Sequence, residues 1–196
     1  MFGLDHKSGV EITENDPMIS DQSPEQSAMG QGTHSFANVQ LARYVTAMAN
    51  RGTVFELSVI DKVTDSQGNL VEDYTPKISS HINIQESTWN TVQNGMRRVI
   101  QYGSANKLFR ELKVNVAGKT GTAQESKTRG NHAFFISFAP FEAPQVAVTV
   151  NIPFGYSSSN AASVAKEIYK LYFGQVTLDD ILKSTAQKST DVRIGD

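Results

Sequence analysis

The sequence contains no cysteine. That excludes disulfide frameworks, thiolate catalysis and Cys-ligated zinc or iron–sulfur sites. It has no strong excess of either charge: 18 Lys plus Arg stand against 20 Asp plus Glu, a formal net charge of −2. The positive footprint of a nucleic-acid binder is missing, so no nucleic-acid partner is expected. Nothing approaches the ~18 consecutive apolar residues that span a bilayer, and the opening Met1-Phe2-Gly3-Leu4-Asp5-His6-Lys7 is not expected to act as a signal peptide. The polypeptide as written is expected to be soluble. His6, His34, His81 and His132 lie far apart without paired metal spacing, so neither a metal nor another cofactor is expected. What remains is 39% hydrophobic and 19% charged, enough for a folded core and unlike disorder. A length of 196 residues fits one ordinary domain or one piece of a larger one.

Residues 1–37 are rich in Ser, Gln, Asp, Glu and Gly and read as extended or irregular chain packed on something else. Val39, Ala42, Val45, Met48 and Ala49 then recur at spacings of three and four, predicting an amphipathic helix with a basic last turn at Arg51 and a terminal Gly52. Two β-prone runs, 54–64 and 70–74, flank the turn-rich Asp65-Ser66-Gln67-Gly68-Asn69 and predict a hairpin. Trp89, Val92, Met96, Val99 and Ile100 form a second helical stripe, opened by Ser87-Thr88 and closed by Gly103. A short third helix would hold Ala105, Leu108, Phe109 and Leu112.

From Val114 the pattern turns to strands. The run 114–124 should pair, across the polar connection 125–131, with Phe134–Ala139, whose successive apolar residues suit a central strand covered on both faces. Val146, Val148, Val150 and Ile152 alternate with smaller or polar residues as a third strand. Ala161, Val164, Ala165, Ile168, Tyr169 and Tyr172 make a closing helix that ends at Gly174, and residues 175–196 are a polar tail. The fold class is α+β: an antiparallel meander with flanking helices, the last one packed across one sheet face.

The chemistry-bearing motif is Ala117-Gly118-Lys119-Thr120-Gly121-Thr122-Ala123-Gln124. A phosphate loop fails twice, since Lys113 stands where its first glycine belongs and a strand follows where a helix is needed. On a strand, period two puts Thr120 and Thr122 on one face, while Gly121 has no side chain to block a substrate backbone. One cation, two hydroxyls and an open edge suit an extended peptide with a carboxylate. Lys-Thr-Gly alone arises by chance in roughly four of a hundred chains of this length, so the surroundings must decide.

Those surroundings are Phe2-Gly3-Leu4 with Ser8-Gly9-Val10-Glu11-Ile12, Met29-Gly30-Gln31-Gly32, Gln40-Leu41-Ala42-Arg43-Tyr44 and Met48-Ala49-Asn50-Arg51-Gly52. Met96-Arg97-Arg98-Val99, Gly103, the lysine motif itself and Asn131-His132-Ala133-Phe134-Phe135 follow in order. From Phe2 to Gly174 the chain resembles the C-terminal part of the transpeptidase domain of class B penicillin-binding proteins. Residues 1–174 are thus identified with that portion of the domain, and 175–196 with the tail. Two departures are Ala37-Asn38-Val39-Gln40 in place of the family's Thr-Pro-Leu-Gln, and Phe134 in place of its frequent Trp.

The resemblance implies serine acyl transfer that cross-links peptidoglycan stem peptides, with β-lactams reacting as mimics of the acyl donor. It implies that Lys119 supplies positive potential, that Thr120, Gly121 and Thr122 bind the substrate and its carboxylate, and that the Thr122 N–H is one oxyanion donor. The nucleophile should be absent. The Ser-x-x-Lys strings at Ser104–Lys107 and Ser163–Lys166, and the Ser-x-Asn strings at Ser104 and Ser158, fall in the wrong places relative to Lys119. The chain alone is therefore expected to be inactive, and the upstream half of the same protein is an expected partner. That half should supply a strand beside residues 145–152. The parent is expected at the extracytoplasmic face of a bacterial membrane, where the family's usual partner is a polytopic glycosyltransferase. A β-lactamase or β-lactam sensor of the same fold, or a non-catalytic binding module, stays open at this point. Gly30-Gln31-Gly32 is expected to serve close backbone packing.

Overall fold

The computed structural model describes residues 1–20, 24–28, 30–124 and 128–183. In chain order the elements are α1 (Pro24–Ala28), α2 (Asn38–Ala49), β1 (Thr53–Phe55), β2 (Lys62–Thr64), β3 (Leu70–Asp73) and β4 (Ile78–His81). They continue with α3 (Glu86–Gln101), α4 (Asn106–Phe109), β5 (Ala117–Ala123), β6 (His132–Ala139), β7 (Val146–Ile152) and α5 (Ser158–Tyr172). The expected meander is present as a three-stranded antiparallel sheet in the order β5-β6-β7, with Ala117 opposite Phe138 and Phe138 opposite Ala147.

The pleat of β6 separates two cores. Ala133, Phe135 and Ala139 pack with Ala161, Ala162, Ala165 and Tyr169 of α5 and with Phe109 of α4. Ser137 on the same face accepts a hydrogen bond from the buried Tyr169 hydroxyl at 2.8 Å, which satisfies both groups. Phe138 faces the other way, onto Val45 and Ala49 of α2 and Met96 of α3. That second face is sealed only at one end: Phe138 is fully buried, whereas Phe134 and Ile136 are half-buried. The expectation of a strand covered on both faces thus holds for its Phe138 end, and the Phe134 end lies open.

α2 carries two buried polar residues that bind the irregular N-terminal chain. Gln40 accepts from the Ala37 N–H and donates to His6 O, both at 2.8 Å. Arg43 reaches the carbonyls of Gly3, His6, Lys7 and Ser8. Burial lowers the Arg43 pKa, and the charges of Glu14 and Asp5 oppose that shift. In α3 the exposed Val92 leaves the inward position to Gln93, whose amide donates to Met48 O and Ala49 O at the carbonyl end of α2.

Three local expectations need correction. The basic last turn of α2 is not helical: the helix stops at Ala49, and Arg51 adopts a left-handed φ of 61° while pairing with Glu86. Gly52 follows at φ 112°, where a Cβ would come within 2.5 Å of Ile82 O. The hairpin is shorter than expected, β2 with β3, because Thr53–Phe55 pairs instead with β4, an exposed strand without apolar alternation. The N-terminal stretch is not wholly irregular, since it holds α1 and a Met18–Ser35 bridge. The polar tail packs back at its start. Gln175 bonds to Lys113 N and Glu111 O, and Thr177 and Asp180 cap each other reciprocally at a helical turn over 178–183. The rest of the tail, 184–196, lies outside the described residues, as does 125–127 of the β5–β6 connection.

Candidate functional site

β5 is held tightly at its start. A Cβ on the buried Gly118 would meet the Phe135 ring at 2.6 Å and Ile136 O at 3.0 Å, so only glycine lets the strands approach this closely. Arg97 of α3 donates to Val116 O at 3.0 Å and to Asn115 Oδ1 at 2.5 Å, fixing the helix to the chain that enters β5. Burial draws the Arg97 guanidinium below its ordinary range, and Glu142 opposes that shift. From this anchored base the strand runs outward, and Lys119 and Thr122 are exposed.

Register divides the motif between faces. Thr120 opposes Phe135 and Thr122 opposes Ala133, so both threonines share the α5 face, as their spacing predicts. Lys119 opposes Ile136 and Gly121 opposes Phe134, on the face left open at its outer end. A Cβ on Gly121 would stand 3.3 Å from Phe134 Cβ, so the missing side chain also serves contact between strands.

The backbone polarity of β5 follows from its contacts. In an antiparallel ladder the N–H and C=O of one residue point to the same side, and successive residues alternate. Thr122 O accepts the Gln31 side-chain amide at 3.2 Å, and Thr120 O accepts Lys119 Nζ at 2.5 Å. Both carbonyls therefore face the edge of β5 that pairs with no strand among the described residues, its free edge, and the N–H groups of Thr120 and Thr122 face it too. This edge offers two outward donors, the exposed Lys119 ammonium and the threonine hydroxyls of the same strand, a set suited to an extended chain bearing an anionic group.

Two neighbours of this strand were read differently in the sequence. Gln31, between its two glycines, does more than allow backbone packing: its side chain reaches Thr122. Ser104, a chance motif match by position, places its Oγ 3.2 Å from Thr120 Oγ1. The remaining motif matches have local roles. Lys166 pairs with Glu167 at 2.9 Å; burial would raise the Glu167 pKa, and the hydrogen bond and charges of Lys166 and Lys170 turn the net shift downward. Ser158-Ser159-Asn160 opens α5, where Ser157 caps the Ser159 N–H and Asn160 donates to Gly155 O. The histidines are dispersed, with His6 on Asp5, His34 stacked on Phe36, His81 beside Thr53 and His132 against Phe154. A hollow of about 440 Å³ lined by Met1, Gly3, His6, Val54, His81 and Ile82 includes no residue of β5.

The family profile described as the penicillin binding protein transpeptidase domain matches residues 1–170. The chain belongs to this family. Among its relatives, the peptidoglycan D,D-transpeptidase MrdA of Haemophilus influenzae is 30% identical over 75% of this chain and 25% of its own length. Penicillin-binding protein 2A of Bacillus subtilis is 27% identical over 80% of this chain and 24% of its own. The chain thus spans about a quarter of the length of these curated relatives. In fold it is similar to penicillin-binding protein 2B from Streptococcus pneumoniae strain R6, with a TM-score of 0.77, 23% identity, and coverage of 90% of this chain and 32% of that one. Pseudomonas aeruginosa PBP2, solved in complex with WCK 5153, gives a TM-score of 0.68 at 26% identity, covering 87% of this chain and 41% of that one. The expected α+β transpeptidase fold is therefore the observed one.

Proposed function

We propose that this chain forms the substrate-binding wall of a serine D,D-transpeptidase that cross-links peptidoglycan stem peptides. The observation that carries the reading is the free edge of β5, where Thr120 and Thr122 turn their backbone donors outward beside the exposed Lys119. A serine from outside this chain attacks the penultimate D-Ala carbonyl. Its C–O bond forms, the C–N bond to the terminal D-Ala breaks, and the hydroxyl proton leaves with the departing amine. The acyl group then passes to the amine of a second stem peptide. Lys119 supplies positive potential and a hydrogen bond to the Ser-x-Asn serine, Thr120 and Thr122 hold the substrate carboxylate, and the Thr122 N–H receives the oxyanion. The name of the Haemophilus relative supports this substrate class, and β-lactams would react as acyl donors.

The nucleophile-bearing half of the protein is the partner this reading requires. On the far edge of the sheet β7 pairs with no strand among the described residues, and only Asn38 reaches an edge carbonyl, Thr149 O at 3.2 Å. Val164, Ile168, Leu171 and Tyr172 form an exposed apolar stripe on α5, which also packs on β7. A strand and helix from the preceding half would cover both surfaces. No helix among the described residues is long and apolar enough to cross a membrane; the parent is proposed to work at the extracytoplasmic face of a bacterial membrane, anchored by a segment outside this chain and paired with a membrane glycosyltransferase. A fluorescent penicillin tests the acyl-transfer reading. The chain joined to its preceding half should be labelled covalently and the chain alone should not; labelling of the chain alone would overturn the division of roles.

A further inference from the structure

The hydroxyls of Ser104 and Thr120 lie 3.2 Å apart, and nothing in the mechanism above uses Ser104. Its position is set by a rigid turn. Gly103 donates to Arg98 O at 3.0 Å, and a Cβ there would come within 2.8 Å of Val99 Cα. On the other side Ala105 is 1% exposed in the main core, and Asn106 bonds back to the Ile100 and Gln101 carbonyls. Arg97, seven residues earlier, clamps the preceding helix α3 to Val116 at the base of β5. Serine and strand are thus parts of one framework, held from both ends.

We propose that Ser104 is a positioning residue that sets the direction of the Thr120 hydroxyl for the substrate carboxylate. This rests on the proposed function, in which Thr120 binds that carboxylate. A hydroxyl has one proton to give and lone pairs to receive. If Thr120 donates to Ser104, its lone pairs face the anion and repel it. If Ser104 donates to Thr120, the Thr120 proton is free for the carboxylate, and the chained bonds strengthen one another. An arriving carboxylate selects the second arrangement, so Ser104 acts as a donor behind the donor. No covalent step involves it.

The test compares a penicillin with its methyl ester in the chain joined to its nucleophile-bearing half, measuring acylation rate constants for the wild type, Ser104→Ala and Ser104→Thr. Ser104→Ala should lower the rate for the free acid about threefold to tenfold, the effect of one neutral hydrogen bond, and leave the ester rate unchanged. Ser104→Thr, which keeps the hydroxyl, should restore the preference for the acid. An equal acid-to-ester ratio in Ser104→Ala and wild type would overturn the proposal alone, as would equal losses for acid and ester, which mark a merely structural role. A wild type that reacts with neither compound would overturn the acyl-transfer reading and this proposal with it.

Discussion

At the scale of single residues, the site depends on which way backbone groups point. Thr122 turns its N–H to the free edge of β5, so that donor takes no part in the ladder with β6. Proline is tolerated on an edge strand where its missing N–H faces solvent. Thr122→Pro should therefore leave the sheet paired while removing the proposed oxyanion donor. In the chain joined to its preceding half, acylation by penicillin should fall by about 10²–10³. Circular dichroism should remain unchanged. Acylation at the wild-type rate would show that this N–H is not the donor. The run Lys119-Thr120-Gly121-Thr122 was legible as part of a strand because it is contiguous, and its assignment to substrate binding is the proposal made above. Ser104 and Gln31 were not legible in the same way. Each meets the strand only through tertiary packing, 16 and 91 residues away in sequence from its contact.

At the scale of elements, periodicity located what burial organises. α2, α3, α5, β6 and β7 each have a buried face repeating at the helical or strand period, whereas β5 is buried only at its start. It failed where burial is weak. β4 is exposed at every position, so no apolar alternation marks it, and β1 was read into the first arm of the neighbouring hairpin. Helix ends also shifted, because Arg51 and Gly52 use left-handed backbone rather than a continuing helical turn. The joint between α5 and β6 gives a pH test. Burial raises the Tyr169 pKa above that of a free tyrosine, and its bond to Ser137 only partly opposes this. An unfolded tyrosine ionises near about pH 10, so above that the unfolded state loses a proton that the native state keeps. This contribution is complete below about pH 10 and is lost as pH rises further. Tyr169→Phe should cost about 0.5–1.5 kcal/mol near neutrality through the lost hydrogen bond. Urea unfolding should show the gap to wild type constant up to about pH 10 and narrowing as pH rises above it. A constant gap would mean that Tyr169 does not keep its proton in the folded chain.

At the scale of the whole molecule, the absence of cysteine and of strong charge narrowed the chemistry, and the order of motifs pointed to half of a larger catalytic domain. The structure gives that reading a physical form. One edge of the sheet, β5, carries the proposed binding wall, and the other, β7, has no strand partner among the described residues. Joining the preceding half should bury the β7 edge and the apolar stripe of α5. The thermal midpoint should then rise by about 5 °C or more over that of the chain alone, measured at equal concentration. A chain that melts at the same temperature in both forms would argue that these surfaces are finished as they stand. The central claim is that the wall and the nucleophile lie on different parts of the polypeptide. Its most direct test is peptide mass spectrometry of the penicillin adduct formed by the joined protein. The account predicts an acylated serine outside residues 1–196, within a Ser-x-x-Lys sequence; an adduct on Ser104, Ser163 or any other serine of this chain would contradict it.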